Sequence, residues 1–422
     1  MNRLLSVAIV LTGFINYSNA QIATSSPYSR SGLGDLQQSI FPEFNAFGGA
    51  STALSNPKSV NPNNPASYTA FGLNSFLLST GGWQQSTKMQ NATAEHVVSN
   101  NGFSHLVVGF PLGKKMGASF GMIPFSSTGY EINTTIVDKN NHDNSAEANY
   151  YGDGGISKIY FGGAYTPFQG LSVGVNASYL FGGLNRRKQL VYDDESFMNS
   201  RSNSKINLKG YYYELGLQYK TKLADNNEFS IGVTANNNAT IRANKLEIVE
   251  SFEFAGVLEM PKDTFVNSTQ WGDAVLPKYI SAGIAYKLDE KMLFVADYSM
   301  QNWADYTLFG ESDNLANSMK ISGGMQYTPE YNSVNKYYKR MDYRIGASYS
   351  NTPLQFEGTQ LKEMSVSVGF GIPVKKSRTK YDVSCTLGQR GTTDNNLIKE
   401  QFIRVGLSVS YDGIWFVKRK YD

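Results

Sequence analysis

The 422-residue chain has one cysteine, Cys385, and three histidines, His96, His105 and His142. A single thiol excludes a disulfide framework. No serine stands in a nucleophile elbow or beside a histidine–carboxylate pair, so the chain offers no hydrolytic triad and is not expected to be an enzyme. The segment from Asp138 to Asn149, DKNNHDNSAEAN, begins like a calcium loop. It lacks the glycine at its sixth position and the glutamate at its twelfth, and no metal or other cofactor is expected. Basic residues cluster only from Lys418 to Lys420, too few for nucleic acid, and a net charge of +3 says little about partners. Beyond residue 20 no apolar run is long enough to span a bilayer as a helix, and 41% of residues are hydrophobic. A helical membrane protein is therefore excluded. After residue 70 no Pro/Ser linker or shift of composition divides the chain, which leaves one architecture to find.

What is present begins with MNRLLSVAIVLTGFINYSNA: a basic start at Arg3, an apolar stretch from Leu4 to Phe14, and small residues Ser18 and Ala20 placed for cleavage. Residues 1–20 are thus expected to be a signal peptide. Aromatics are abundant, with 27 tyrosines and 24 phenylalanines. The main signal is alternation. From Met292, MLFVADYSMQNW puts Met292, Phe294, Ala296, Tyr298 and Met300 on one face and Val295, Asp297, Ser299 and Gln301 on the other. From Leu171 and from Met364 the pattern repeats, and the polar face is small and glycine-rich. A soluble β-sandwich also alternates, but its strands run to about five or six residues. The segments here commonly exceed ten, the length of tilted strands that cross a membrane with one face on lipid.

Fourteen such segments begin near Leu73, Ser104, Met116, Ile156, Leu171, Lys205, Glu228, Pro277, Met292, Ser318, Met341, Leu361, Lys380 and Ile398. The reading is an all-β, antiparallel transmembrane barrel of about 14 strands over residues 71–412, with a periplasmic tail at 413–422. Short turns at Pro111 to Lys115, Thr166 to Gly170 and Lys287 to Lys291 are expected to be periplasmic, and Tyr327 to Arg340 is a longer connection at the same end. Asp138 to Gly155, Asp193 to Ser204 and Glu250 to Val275 are expected to be extracellular loops. Residues 21–70, rich in Gly, Asn and Pro, have no strand period. They are expected to fill the lumen as a plug, since a barrel of this size is too wide for its own side chains. The alternative is a loose periplasmic tail, against which stand the apolar Phe41, Phe44, Phe47, Leu54, Val60 and Tyr68.

The stretches SGLGDL (Ser31 to Leu36), GGASTAL (Gly48 to Leu54) and NPNNPASY (Asn61 to Tyr68) resemble the N-terminal hatch of the FadL family of outer-membrane transporters for long-chain fatty acids and other hydrophobic compounds. HLVVGFPLGKKMGASFGMIPF (His105 to Phe125) and LPKYISAGIAYKLDEKMLFVADYSMQNW (Leu276 to Trp303) continue the likeness. The resemblance assigns Gly32, Gly34, Gly48, Gly49, Asn64, Pro65 and Ala66 to the hatch. It implies passive uptake of a hydrophobic molecule through a plugged barrel with a lateral opening in its wall. The location it implies is the Gram-negative outer membrane, with the bilayer and lipopolysaccharide as surroundings, a hydrophobic small molecule as ligand, and a monomeric barrel. Pro124, which cannot donate to a ladder, is expected to kink the third strand where the wall opens, unless it marks a strand end. Phe252, Phe254, Val257, Leu258, Met260 and Phe265 are expected either to line an entrance groove or to pack their loop onto its neighbours. By parity Arg344, Arg404, Lys320, Glu214, Asp297, Asp342 and Asp382 face the lumen, as an ion-pair network holding the hatch or as partners for a headgroup. The rival to transport is a structural or interaction role, which FadL-like barrels also play as type IX secretion subunits that bind cargo or translocon.

Overall fold

The computed structural model describes residues 23–37, 41–137, 145–194, 196–224, 226–333, 336–356 and 358–415. The signal peptide, His142, most of the calcium-like loop and Lys418 to Lys420 lie outside the described residues. Strands make up a closed antiparallel barrel of 14. They are β1 Ser75–Gln90, β2 Glu95–Pro111, β3 Met116–Val137, β4 Ser145–Phe168, β5 Leu171–Tyr192 and β6 Asn199–Ala224. β7 is Asn227–Asn236 continued by Ala239–Ala255, and β8 is Leu258–Leu276 continued by Tyr279–Leu288. The ring continues with β9 Met292–Gln301, β10 Ser318–Tyr327, β11 Asp342–Phe356, β12 Thr359–Pro373, β13 Lys380–Arg390 and β14 Lys399–Ile414. The two pieces of β7 are one strand because β6 pairs with both, Glu214 to Ala224 with the first and Asn199 to Lys209 with the second. Closure comes from β14 on β1, in register from Lys399 opposite Gln90 to Ile414 opposite Ser75.

The alternation sets which way each side chain points. Val173, Val175, Phe294, Val366, Val368 and Val405 are all more than one-third exposed and form part of the apolar outer face that a lipid-facing wall requires. Both ends of the described wall meet at one rim, where Trp415 N–H donates to the Asn74 carbonyl at 2.8 Å. In outer-membrane barrels the short turns lie on the periplasmic side, and this is the rim that carries them.

The wall is not of even height. β4, β5 and β6 have 24, 22 and 26 residues, against 10 each in β9 and β10. Some 9–11 tilted residues cross the hydrocarbon, so the upper halves of the long strands stand clear of it. The expected loop from Glu250 to Val275 is mostly the top of the β7–β8 hairpin, turned at Gly256, whose φ is 66°. Likewise β4 resumes at Ser145 and β6 at Asn199, inside segments expected to be loops. The tail assignment is also corrected, since β14 runs through Gly413 to Ile414.

Two ladders stop short. β2 pairs with β3 only from Pro111–Gly117 up to Leu106–Met122, although β3 goes on beside β4 to Val137. β8 pairs with β7 along its whole upper piece, but β9 reaches only the lower piece, from Tyr279 to Leu288. Above it the edge of β8 receives just a two-residue strand, Thr307–Leu308, opposite Ala274 and Val275.

The N-terminal segment lies inside the ring. Phe41, Phe44, Phe47, Val60, Ala66 and Tyr68 are all at most 5% exposed. Its backbone runs so close to the wall that side chains are missing at the contacts. A Cβ at Gly346 of β11 would sit 2.3 Å from the Phe47 carbonyl carbon, and one at Gly117 of β3 would sit 2.0 Å from the Tyr68 oxygen. Glycines of β5, β6, β7 and β12 similarly face Pro65, Asn64, Thr52 and Ala46. These contacts are the physical reason for the small, glycine-rich inner face. Above the segment, Ile156, Leu180, Leu184, Ile206, Leu208 and Ile241 of the tall strands pack on Tyr28 and Leu33. The β9–β10 connection adds Trp303, Tyr306, Leu308 and Leu315 to this core.

Candidate functional site in the lumen and wall

Each hatch residue singled out in the sequence has a local reason. Gly32, Gly34, Gly48 and Gly49 have φ of 58°, 92°, 69° and 95°, values that side-chain-bearing residues rarely adopt. Asn64 accepts from Ala66 N–H at 3.1 Å, capping the short helix Pro65–Ala70, and its amide donates to the Thr52 carbonyl at 2.7 Å. Proline at the first helical position suits a turn whose first N–H groups have no helical acceptor. Asp297 of β9 accepts from the Ser51 and Thr52 N–H groups at 2.6 and 2.8 Å.

The lumen charges divide into two groups. Arg344 pairs with Asp382 at 2.6 Å, Asp342 at 3.2 Å and the hatch residue Glu43 at 3.6 Å, and Lys380 reaches the same three carboxylates. Burial raises the Glu43 carboxyl from its ordinary pKa, while Lys380 and Arg344 pull it down and Asp382 and Asp342 push it further up. Nearer the top Arg390 binds Glu400 at 2.6 Å and the hatch residue Asp35 at 2.9 Å. Glu214 is held by Lys158 at 3.0 Å. The Arg344, Lys380 and Arg390 pairs tie wall to hatch, and Lys158–Glu214 ties one wall strand to another; desolvated charges require such partners. Glu43 and Asp35 were missed because the hatch has no strand period to orient them, whereas Lys158, Lys380 and Arg390 share the inward parity of their strands and were open to the same alternation rule.

Arg404 and Lys320 are different. Among the described residues neither makes an ion pair, and Lys320 makes no hydrogen bond. Arg404 donates to Gln85 at 2.7 Å and lies 5.2 Å from the ring centre of Trp83 and 5.7 Å from that of Phe402. Both cations line a cavity of about 170 Å³ between the hatch and the apolar core. A second cavity, of about 160 Å³, shares Lys320, Leu36, Gln37 and Tyr279 with it and reaches Ile123, Pro124 and Phe125 of β3. Lys158, Glu214 and Asp297 are on its wall.

Pro124 stands two residues above the last β2–β3 pair, and the β3–β4 register slips between it and Ser126. It is not a strand end, because β3 continues to Val137. On the side that β2 has left, the hatch provides a partner instead. Asp35 and Leu36 pair antiparallel with Ser127 and Ser126, Gln37 N–H donates to the Phe125 carbonyl at 2.9 Å, and Ser29 Oγ bridges the Gly129 carbonyl and N–H at 3.0 Å each. Of the expected entrance-groove residues, Phe252 and Phe254 meet edge-on with ring centres 5.4 Å apart. Phe252 is fully buried with Arg201 5.3 Å above its ring, whereas Phe254, Val257, Leu258, Met260 and Phe265 are exposed on the β7–β8 hairpin. His105 is a satisfied core histidine, stacked on Phe41 at 3.9 Å and hydrogen-bonded to Ser79 and Ser104.

The profile of the BamG family matches residues 1–422. The chain belongs to the BamG family. No curated protein matches it. Among solved structures, this BamG-family chain is similar to the CymD monoaromatic hydrocarbon channel, with 14% identity, a TM-score of 0.55, and 91% of this chain and 99% of that one covered. The toluene transporter TbuX of Ralstonia pickettii aligns at 13% identity and a TM-score of 0.58, over 89% of this chain and 98% of that one. A FadL homologue from Pseudomonas aeruginosa aligns at 10% identity and 0.57, over 90% and 99%. The fold is therefore that of FadL-type outer-membrane channels, as the hatch motifs implied.

Proposed function

We propose that this barrel passes small amphiphilic molecules, apolar at one end and acidic at the other, between the cell exterior and the outer leaflet through the gap above Leu106 and Met122. The observation that carries the reading is the junction at Pro124: a stretch of wall ladder that β2 has left, and that only the hatch strand Asp35–Leu36 covers, lies against a cavity whose continuation holds Lys320 and Arg404, which form no ion pair among the described residues. An apolar tail gains ~0.8 kcal/mol per methylene on leaving water for hydrocarbon, which gives a lateral exit a driving force that an aqueous pore lacks. The two cations would hold the acidic end by charge-assisted hydrogen bonds. Cavities of about 160 and 170 Å³ fall below the usual ~300–1,000 Å³ of ligand pockets, so the reading is confined to compact ligands and leaves long-chain fatty acids aside. Octanoate is a suitable probe. Vesicles carrying the barrel should take it up faster than empty ones, and the double variant Lys320→Gln/Arg404→Gln should lose that gain while toluene flux persists. Octanoate uptake equal in both would overturn the reading.

A second reading is favoured by the seating of the hatch. Backbone-to-backbone contact with wall glycines, reinforced by Arg344 and Arg390, describes a floor that does not swing aside, and the apolar core closes the lumen above. A barrel filled in this way is also suited to a structural or interaction role in the outer membrane. Absence of octanoate binding to the purified barrel would favour it.

A further inference from the structure

We infer that the upper edge of β8 is a docking edge, which binds an extended segment of a different protein presented from the extracellular side by adding it as a strand. This inference is independent of the lumen and its ligand. From Leu258 to Gly272 every residue of β8 except Glu259 and Gly272 is exposed, and among the described residues only β7 pairs with it. Natural sheet edges are guarded by proline, charge or bulges. Here all the guards sit at the tip: Pro261, Lys262, Asp263 and two register shifts between Pro261 and Val266. Below them TFVNSTQWG, Thr264 to Gly272, carries no charge and no proline, and it exposes Phe265 and Trp271 by 67% and 72%.

The backbone direction of this edge follows from one bond. Phe309 N–H donates to the Asp273 carbonyl at 2.9 Å, from the side away from β7. Groups alternate along a strand, so the N–H and C=O of Trp271, Thr269 and Asn267 also face the open side, while those of Gln270 and Ser268 face β7. The chain's own Thr307–Leu308 strand already adds antiparallel to this edge at Ala274 and Val275, and then turns off after Phe309. An incoming strand would continue that ladder upward, with alternate side chains against Trp271 and Val266. A second copy in the same membrane would share this chain's orientation, so its β8 edge would run parallel to this one and could not continue the antiparallel ladder begun by Thr307–Leu308.

The test uses the full-length protein in its native outer membrane. A photo-crosslinking amino acid at Thr269 should give one discrete adduct with another protein, mapped to an extended segment of it. Amide exchange at Thr269 and Trp271 should be slowed roughly tenfold or more compared with the purified chain. Trp271→Pro removes one outward donor and leaves the β7–β8 ladder intact, so it should abolish the Thr269 adduct while the barrel stays heat-modifiable. Moving the proline to Ser268 should instead disrupt the hairpin itself, visible as faster exchange at Glu247. No adduct, an adduct only with lipopolysaccharide, with a second copy or within the chain, or an adduct undiminished by Trp271→Pro would overturn the proposal.

Discussion

The edge of β3 above Met122 and the edge of β8 above Gly272 are the same backbone problem with opposite outcomes. Each is a margin of the tall block β3–β8 where the neighbouring strand no longer pairs: β2 parts from β3 above Leu106 although it runs on to Glu95, and β9 ends at Gln301. At β3 the chain supplies its own cover: Asp35, Leu36, Gln37 and Ser29 meet the free groups, and Ser126, Ser127 and Thr128 are at most 7% exposed. At β8 the cover stops after Thr307 and Leu308, and the strand above is open to solvent. Unpaired ladder groups are tolerable in water and intolerable in lipid or a dry interior. The covered edge is the one beside the lumen cavity and the register shift after Pro124. The bare edge is on the part of the sheet that rises beyond the membrane. Position relative to the bilayer, more than local sequence, decides which edge the chain must close.

The comparison breaks first at the hatch, because the cover on β3 depends on it. Arg344→Met would leave Asp382, Asp342 and Glu43 facing one another in a buried site with Lys380 alone to balance them. A loss of ~3–5 kcal/mol is expected, measured as a lower midpoint of heat modifiability. An unchanged midpoint would mean that the network does not hold the fold.

Arg390→Gln should have a smaller and more local effect, releasing Asp35 and with it the strand on Ser126 and Ser127. A cysteine at Ser127 should then react faster with a thiol reagent than in the parent barrel, with destabilisation of ~1–3 kcal/mol. Equal reactivity would show that the cover stays in place without its ion pair.

Pro124→Val restores a donor to β3 and suits a straight strand. Octanoate uptake in vesicles should fall several-fold while the stability of the barrel changes by less than ~1 kcal/mol. Uptake equal to the parent would separate the gap from the route.

At the bare edge the effect on stability should be the smallest. Trp271→Pro is expected to alter the midpoint by ~0.5 kcal/mol or less, since its N–H faces solvent and exposed sites away from caps and cores are forgiving. A large loss would mean that this edge is paired by something the isolated chain retains.

How well the strands were legible follows the same boundary. The expected starts at Met116, Leu171, Met292, Ser318 and Lys380 coincide with the observed ones. The clear misses are Ser104 for Glu95, Ile156 for Ser145, Lys205 for Asn199, and the upper piece of β8. All four are strands that begin at the tall rim. There the outer face meets water instead of lipid, the apolar–polar period fades, and a strand reads as a polar loop. Likewise the six apolar residues from Phe252 to Phe265 drew attention by composition, but composition did not show that Phe252 is buried while the others lie exposed along the hairpin.

The sequence by itself determined the alternating wall, the exclusion of residues 21–70 from it, and the glycines and Asn-Pro-Ala element of the hatch. Each of these rests on short-range rules: side-chain parity along a strand, positive φ at glycine, and the cap of a helical turn. Only the tertiary structure decided which charges pair directly, since Arg344 finds Glu43 and Arg390 finds Asp35 across hundreds of residues, while Arg404 and Lys320 form no ion pair among the described residues. It also decided where the ring of ladders is incomplete. A strand's own sequence fixes its faces, but its edges are satisfied only by whatever neighbour the closed barrel brings beside it.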